Sequence, residues 1–150
     1  LAGRMSIGET YGIADTDVLI TQRTEITFAD CKITIFPGLT SGTDNKKSLS
    51  VLFQPGKRAI LITGDQTVAG ENALVATGLP NLDYLVVGHH GSDTSTGETL
   101  LSATRPLCAV ISVGANNRYG HPDQTVLDRL AAYGCTVLRT DQNGTIIIRG

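Results

Sequence analysis

Two adjacent histidines, His89 and His90, end an apolar run within the segment Asp83–Thr96, DYLVVGHHGSDTST. Imidazole exchanges protons near neutral pH and is a frequent metal ligand, so this pair is the first candidate for chemistry. Neighbouring side chains of a strand point to opposite faces, so both rings can enter one pocket only where the chain turns. The flanking Gly88 and Gly91 allow such a turn. The alternative is one histidine packed in the core and one exposed to solvent.

Two further groups of polar residues follow predicted strands in the same way. Asp65 comes after the run ILITG, and the stretch GANNRYGH, which ends at His121, comes after AVISV. Open α/β sheets bind ligands beyond the carboxyl ends of their strands, so we expect the three loops to meet at one edge of a sheet. Asp65 could instead cap the helix that follows it, since aspartate is a common N-cap residue. His121 could likewise be only a helix-start residue.

The loop before His121 is rich in hydrogen-bond donors. Asn116, Asn117, Arg118 and Tyr119 follow one another there. Guanidinium and amide groups are well suited to binding phosphate and carboxylate oxygens. This density of donors predicts an anion-binding surface rather than a simple connection between two elements.

The predicted secondary structure that must position these loops changes along the chain. Residues 1–47 read mostly as strands, and residues 48–150 alternate strands with helices. Buried strands that alternate with helices indicate a helix-covered sheet, so we expect one domain of α/β class. The predicted strands are Asp17–Thr21, Glu25–Phe28, Cys31–Phe36, Ser48–Phe53, Arg58–Thr63, Tyr84–Val87, Cys108–Val113, Thr136–Arg139 and Thr145–Arg149.

Helices are predicted between the later strands, and a hairpin is predicted at the end of the chain. Ser95 and Glu98 fit a capping box at the start of the second helix. Asn143–Gly144 is a strong signal for a tight turn between the last two strands. The predicted helices are Thr67–Thr77, one that begins near Thr96, and Pro122–Tyr133.

Composition limits the partners of this chain. The formal net charge is −2, so any polyanion would have to be held by a local site. No apolar run approaches the roughly 20 residues that cross a bilayer, and the first residues lack the order of a signal peptide. The chain does not begin with methionine, and we therefore expect it to be cut from something longer.

Three motifs together carry a family resemblance. A strand ending in TGD, a strand ending in GHHGS and the sequence ISVGANNRYGHP before a helix occur in this order between residues 48 and 150. This arrangement resembles the C-terminal half of a metallo-β-lactamase-fold domain, in the version found in DNA-uptake competence proteins of the ComEC type. The resemblance implies an αββα sandwich, of which this chain would form the C-terminal half plus flanking strands, with a mixed sheet and helices.

The resemblance also implies a site with two metal ions, zinc or manganese, between the halves of the sandwich. Asp65 would bridge the metals, and the GHHGS loop would supply a histidine ligand, His89 in preference to His90 because His89 directly follows the strand. His121 and Arg118 would be the catalytic groups that approach the scissile phosphate, where two cations neutralise developing charge. The residues that help to hold the substrate would be Ser92, Asn117 and Tyr119.

The sequence departs from the family pattern in one respect. The signature His-x-His-x-Asp-His of the first half supplies most metal ligands and needs three histidines, but this chain has three in all and each lies in a later loop. A catalytic zinc site needs three protein ligands, so we expect the chain to present half a metal site. Either it is part of a larger protein or it is a binding module that has lost its metals.

The function implied is a metal-dependent phosphodiester hydrolase, a nuclease associated with DNA uptake, with this chain as a truncated and inactive form. DNA would be the substrate, and the membrane channel portion of the same parent protein would be the partner. In the resembled family the domain is soluble and tethered to the bacterial cell membrane on its extracytoplasmic side. Two alternatives are a non-catalytic DNA-binding or scaffolding module and a small-phosphoester hydrolase of the same fold.

Overall fold

The computed structural model describes residues 11–12, 18–38 and 48–149, and these residues form a mixed sheet with helices. The strands are β1 (Tyr11–Gly12), β2 (Val18–Leu19), β3 (Thr24–Phe28), β4 (Cys31–Phe36), β5 (Ser50–Pro55), β6 (Ile60–Ile62), β7 (Tyr84–Val86), β8 (Cys108–Ile111) and β9 (Thr136–Arg139). The helices are α1 (Val68–Val75), α2 (Glu98–Thr104), α3 (Gln124–Ala132) and the single turn α4 (Thr140–Asn143).

The main sheet has seven strands, and their order in space is their order in the chain, β3 to β9. The strands from β3 to β6 pair antiparallel. The β3–β4 and β5–β6 connections are short, whereas residues 37–49 connect β4 to β5. The strands from β6 to β9 pair parallel, and each connection between them contains one helix, α1, α2 or α3. Strands β1 and β2 form a separate two-stranded parallel pair.

The helices α1 to α3 cover one face of this sheet. Leu61, Leu85 and Ala109 are fully buried, stand side by side in register on neighbouring strands, and belong to one apolar cluster. The cluster also contains side chains from each of the three helices: Leu74, Leu100, Leu101, Val126 and Leu130. Parallel crossovers are right-handed, so a strand order that never reverses places every crossover helix on the same side.

The opposite face of the sheet carries the alternate residues of the same strands. Ile60, Ile62, Tyr84 and Val86 point away from the helices, because side chains alternate along a strand, and Ile62 is 40% exposed. The described residues therefore form one β layer and one α layer. This is the α/β arrangement expected for one half of an αββα sandwich.

Most predicted elements are present with shifted ends. The strand Cys31–Phe36 has the predicted bounds, but its burial does not alternate as the sequence pattern suggests, because Thr34, Ile35 and Phe36 are all buried. The predicted strand Ser48–Phe53 is displaced to Ser50–Pro55, and helix α1 is shorter at both ends than predicted. Part of the predicted strand Asp17–Thr21 lies outside the described residues.

The predicted hairpin at Asn143–Gly144 is wrong, since residues 140–143 form a helical turn and residues 145–149 form no strand. The physical reason is local. The Asn143 side chain accepts a hydrogen bond from the Arg139 backbone N–H at 2.9 Å, which a returning strand could otherwise have taken. The Thr140 hydroxyl also accepts from the Val113 N–H at 2.7 Å and anchors this turn to the end of β8.

Candidate functional site

Three loops meet at the carboxyl ends of the parallel strands, as the sequence predicts. They follow β6, β7 and β8, which are neighbours in the sheet. The His89 N–H donates to the Gly64 carbonyl at 3.0 Å, which joins the second loop to the first. The Asp123 N–H donates to the Gly91 carbonyl at 2.8 Å, which joins the third loop to the second. The backbone thus brings the candidate residues to one edge of the sheet.

The two histidines of the second loop lie in a sharp turn. His89 and His90 both have left-handed backbone angles, with φ of 48° and 56°. This conformation costs a residue with a side chain about 1–2 kcal/mol. Gly91 follows with φ of 86°, and a Cβ there would lie 2.5 Å from the Pro122 Cβ, so only glycine fits. The turn expected from the flanking glycines is confirmed.

The turn gives the two imidazoles different surroundings. The His90 ring is exposed, and its Nδ1 lies 2.7 Å from the carbonyl oxygen of Ser112. The His89 ring is half-buried, and its Nδ1 is buried with no hydrogen-bond partner among the described residues. Buried polar atoms of this kind are uncommon and call for an explanation. A ligand of the complete site would provide one.

The third loop places His121 beside His89. Their ring centroids are 6.0 Å apart at an interplanar angle of 59°. The side chain of Asn117 fixes the backbone of His121 on both sides, because it accepts from the His121 N–H at 3.0 Å and donates to the His121 carbonyl at 2.7 Å. The His121–Pro122 peptide bond is cis. Asn117 therefore holds this corner of the loop.

An aromatic and cationic row extends from His121 toward solvent. The Tyr119 ring lies nearly parallel to the His121 ring, at 16° and a centroid distance of 6.0 Å. The Arg118 guanidinium lies 4.9 Å from the centre of the Tyr119 ring and donates to the Tyr119 hydroxyl at 2.7 Å. Tyr119 is 67% exposed. The row presents a positive group and a flat ring at the mouth of the site.

Asp65 lies at the first loop, with its side chain half-buried. Its N–H donates to the Ser48 hydroxyl at 3.0 Å. The preceding Gly64 has φ of 60°, and a Cβ there would come within 2.4 Å of the same hydroxyl. The N-cap residue of α1 is Thr67, so Asp65 does not cap that helix.

Ser92 is buried, and its hydroxyl lies 2.9 Å from the Thr94 hydroxyl within its own turn. The predicted capping box at Ser95 and Glu98 is wrong, because the N-cap residue of α2 is Gly97. The Ser95 hydroxyl donates instead to the carbonyls of Gly88 and Ser92, at 2.8 and 3.0 Å. Ser95 thus closes the loop behind the histidines.

A buried glutamate that the sequence analysis missed takes over the capping role. Glu71 of α1 is fully buried, and its two carboxylate oxygens accept from the N–H groups of Thr96 and Gly97 at 2.7 and 2.8 Å. Burial raises the pKa of this carboxyl, although the two backbone hydrogen bonds oppose the shift. Glu71 reads in the sequence as an ordinary first-turn acid of α1, and no spacing rule connects it with residues 96 and 97.

Arg129 of α3 holds the same segment from the other side. Its guanidinium donates to the carbonyls of Ser95 and Thr96 at 3.0 and 2.7 Å. Glu71 and Arg129 together form a clamp, which binds the backbone N–H groups and carbonyls of the segment that follows the histidine turn. The clamp stabilises the position of the second loop without using any side chain of that loop.

The start of α3 stabilises the third loop. Asp123 is the N-cap residue of α3, and its carboxylate accepts from the Thr125 hydroxyl and N–H at 2.7 and 2.8 Å. These hydrogen bonds lower the pKa of the Asp123 carboxyl. Because the cap fixes the first turn of α3, it also fixes the direction in which the chain leaves His121.

The site does not contain a complete metal centre in the part of the chain that the structure describes. Across residues 11–12, 18–38 and 48–149, no group of three or more His, Cys, Asp and Glu side chains could hold a metal ion. A catalytic zinc ion takes three protein ligands. Asp65, His89 and His90 therefore do not by themselves fit a zinc or manganese pair, although the unpartnered Nδ1 of His89 is compatible with a place in a larger ligand set.

Comparison with solved structures identifies the class of fold. The chain superposes on the CmlA beta-hydroxylase E377D mutant with a TM-score of 0.58 at 13% sequence identity, covering 81% of this chain and 32% of that one. That enzyme has a metallo-β-lactamase fold. The chain therefore has a metallo-β-lactamase-like α/β fold, as predicted. No protein-family model matches it.

Curated relatives identify the family. The chain is 46% identical over 107 residues to ComE operon protein 3 of Bacillus subtilis, 43% over 105 residues to competence protein ComA of Neisseria gonorrhoeae, and 42% over 103 residues to recombination protein 2 of Haemophilus influenzae. These matches cover 69–70% of the chain but only 13–15% of each relative. The resemblance to the ComEC-type competence proteins is thus confirmed: the chain is related to a segment of them.

The structure also bears on the membrane. Within the described ranges, no helix combines the length and the apolar character needed to cross a bilayer.

Proposed function

We propose that this chain is part of a metal-dependent phosphodiester hydrolase domain, a nuclease that acts on DNA during uptake in competence. The observation that carries the proposal is the convergence of the loops bearing Asp65, His89 and His121 at one sheet edge, in a chain related to competence proteins. The neighbouring rings of His89 and His121, together with the exposed Arg118, are suited to binding a phosphate and to moving a proton at its oxygens.

The residues of the third loop would act on the phosphodiester. Arg118 would hold the non-bridging phosphate oxygens, since its guanidinium is exposed at the mouth of the site. His121 would approach the scissile phosphate as a proton donor or acceptor, in the orientation that Asn117 imposes on its backbone. Ser92, Asn117 and Tyr119 would belong to the substrate-binding wall, with Ser92 acting through the shape of the buried turn.

The metal pair of the complete domain would be zinc or manganese, and this chain would contribute only part of its ligands. Asp65 and one of the two histidines, His89 or His90, are the residues proposed to contribute. The remaining ligands would come from a segment with the His-x-His-x-Asp-His motif, which this chain lacks. Such a pair would supply a nucleophilic water and neutralise charge on the phosphate when bound. The chain alone is therefore expected to be inactive.

A chimera tests the proposal. A segment of a ComEC-type domain that carries the His-x-His-x-Asp-His motif is placed before this chain, and cleavage of labelled DNA is measured with manganese or zinc. We expect cleavage by the chimera and none by the chain alone. The His121→Ala chimera should be slower by about 10²–10⁴-fold, the range for loss of a general acid or base. Failure of the chimera to cleave DNA with any divalent metal would sink the proposal.

The same assay separates DNA from smaller substrates. If the chimera hydrolyses bis(p-nitrophenyl) phosphate but leaves DNA intact, the chain belongs to a small-phosphoester hydrolase and the proposed substrate is wrong. The Arg118→Lys chimera is the matched variant, because it keeps the charge but loses bidentate binding of phosphate.

A non-catalytic DNA-binding module is the second candidate function. The observation that favours it is the exposed Arg118–Tyr119 pair in a site whose described residues do not complete a metal centre. Such a module should bind DNA in the presence of a chelator, and the affinity should fall with salt because phosphate binding releases counterions. Arg118→Ala should weaken this binding for every sequence alike.

We propose further that the domain works beside the membrane channel portion of the same parent protein, on the extracytoplasmic side of the cell membrane. Protease added to intact cells that express the parent protein would test this. Digestion of the domain without lysis is expected, whereas digestion only after lysis would place the domain on the other side.

A further inference from the structure

An open cavity of about 400 Å³ lies beside the proposed catalytic residues. Its volume is within the range of sites that bind small molecules. His90, Tyr119 and His121 line this cavity, and Val113 and Thr140, which follow β8 and begin α4, line it as well. The cavity therefore extends from the aromatic and cationic row to an apolar part of the surface.

The rings of the wall favour a flat ligand. Tyr119 and His121 lie within 16° of parallel, and Tyr119 is the most exposed aromatic ring at this edge, at 67%. Aromatic groups prefer offset-stacked or edge-to-face contacts with other rings. A planar heterocycle that enters the cavity can lie against Tyr119.

The polar side chains of the wall are largely committed to the protein itself. The Nδ1 of His90 is bonded to the Ser112 carbonyl, the Asn117 amide to the backbone of His121, and the Thr140 hydroxyl to the backbone of Val113. Reading a base edge requires free donors and acceptors at fixed positions. These three groups have little to offer for that purpose, so recognition of a base by this wall would depend mainly on shape and stacking.

We infer that this cavity takes one unpaired nucleobase of single-stranded DNA, stacked on Tyr119, with no preference among the four bases. The inference rests on the proposed function and adds the form of the DNA. A base within a duplex is already paired and stacked, so it could not reach Tyr119 unless it were first flipped out. Arg118 stands beside the ring and would hold the neighbouring phosphate.

Binding of labelled oligonucleotides to the chain, in the presence of a chelator, tests the inference. Fluorescence anisotropy is measured with single strands of mixed sequence, with homopolymers of each base, with an abasic strand of equal length, and with duplex. Loss of one stacked base should weaken binding about 5- to 150-fold. We expect this loss for the abasic strand and the duplex, and similar affinities among the homopolymers.

Three variants locate the effect. Tyr119→Ala should bind normal strands as weakly as the native chain binds the abasic strand, and Tyr119→Phe should keep most of the affinity. Tyr133→Ala removes a tyrosine outside this cavity, at the C-cap of α3, and should change nothing. All variants are compared by circular dichroism, because Tyr119 is exposed and its loss should leave the fold intact.

The outcomes separate this inference from the proposed function. Equal affinity for normal and abasic strands, an unchanged affinity of Tyr119→Ala, or no binding of single strands would overturn the inference. A chimera that still cleaves DNA would then leave the nuclease proposal standing. If the chain binds normal strands more tightly than abasic strands but its chimera never cleaves DNA, the inference stands and the nuclease proposal fails. The chain would then be a single-strand binding module.

Discussion

The antiparallel strands β3 to β5 and the parallel strands β6 to β9 belong to one sheet but differ in what their ends carry. The surface of the antiparallel part shows an exposed cluster in which Arg23 and Lys32 pair with Glu25 at 2.8 and 2.9 Å. The parallel part sends every connection through a helix, and each proposed catalytic side chain follows one of its strands. Parallel strands with crossover connections gather their loops at one carboxyl edge, which is where open α/β sheets bind ligands.

The edge strand β3 and the central strand β7 also differ in burial, and the largest expected effect tests this difference. Leu85 of β7 is fully buried in the core, whereas Phe28 of β3 is 57% exposed. Leu85→Ala should lower the free energy of unfolding by about 2–5 kcal/mol, through lost burial and a cavity. Phe28→Ala should cost far less. Urea unfolding measures both free energies, and equal losses for the two variants would show that the two positions do not differ in their contribution to stability.

The second prediction concerns the histidine turn. Gly91→Ala should lower the free energy of unfolding by about 2–4 kcal/mol, since it adds left-handed strain to a collision with Pro122. Gly120→Ala is the control, because Gly120 also has a positive φ but open space around its Cβ position. The control should lose only about 1–2 kcal/mol. Equal losses for the two variants would show that Pro122 does not restrict the turn.

The third prediction concerns the clamp. Glu71→Ala should lower the free energy of unfolding by about 1–3 kcal/mol, because two buried N–H groups lose their acceptor. The proposed chimera should also lose activity in this variant, since the second loop would be less well held. Glu71→Gln keeps an acceptor oxygen and should recover part of the loss.

The raised pKa of Glu71 gives the clamp a defined pH dependence. The folded chain binds the Glu71 proton more tightly than the unfolded chain does. The resulting contribution to the free energy of unfolding is therefore fully present below the pKa of the unfolded state, and it is lost as pH rises through the pKa of the folded state. Glu71→Gln should therefore become more stable relative to the native chain from about pH 4 to pH 7. A difference that stays constant with pH would contradict the assignment.

The smallest effect is expected in the antiparallel part. Glu25→Gln removes both exposed ion pairs, and hydrogen bonding to Lys32 lowers the pKa of this carboxyl in the native chain. Exposed pairs contribute little because water and salt screen them. The unfolding midpoint should stay within experimental scatter at neutral pH. A clear loss would show that this part of the sheet depends on its surface charges.

Local patterns predicted much of the fold. The alternation in CKITIF gave the bounds of β4, and the polar loops GHHGS and GANNRYGH lie at one edge because a parallel sheet requires it. Predictions failed where a local signal competed with a distant partner. Ser95 and Glu98 look like a capping box, but the N-cap residue is Gly97, and Glu71 reaches the N–H groups of Thr96 and Gly97 from another helix. A single sequence does not show pairings of this kind.

The sequence predicted which loops meet, but not how their side chains are arranged. Two glycines in the sequence predicted the turn, but not that His89 and His90 themselves would take left-handed angles. The commitment of Asn117 to the backbone of His121 was not visible, since the same amide could have faced the substrate. Arg129 reads as a surface residue of an amphipathic helix, and only the packing of α3 brings it to the carbonyls of the second loop.

The sequential order of the strands affects how the chain folds during its synthesis. Each strand of the main sheet pairs with the one synthesised just before it, so no pairing must wait for a distant part of the chain. Contacts between near neighbours close small loops and form fast. During translation the first, second and third polar loops would arrive at their shared edge in that sequence, and the last to arrive would be the one that carries His121.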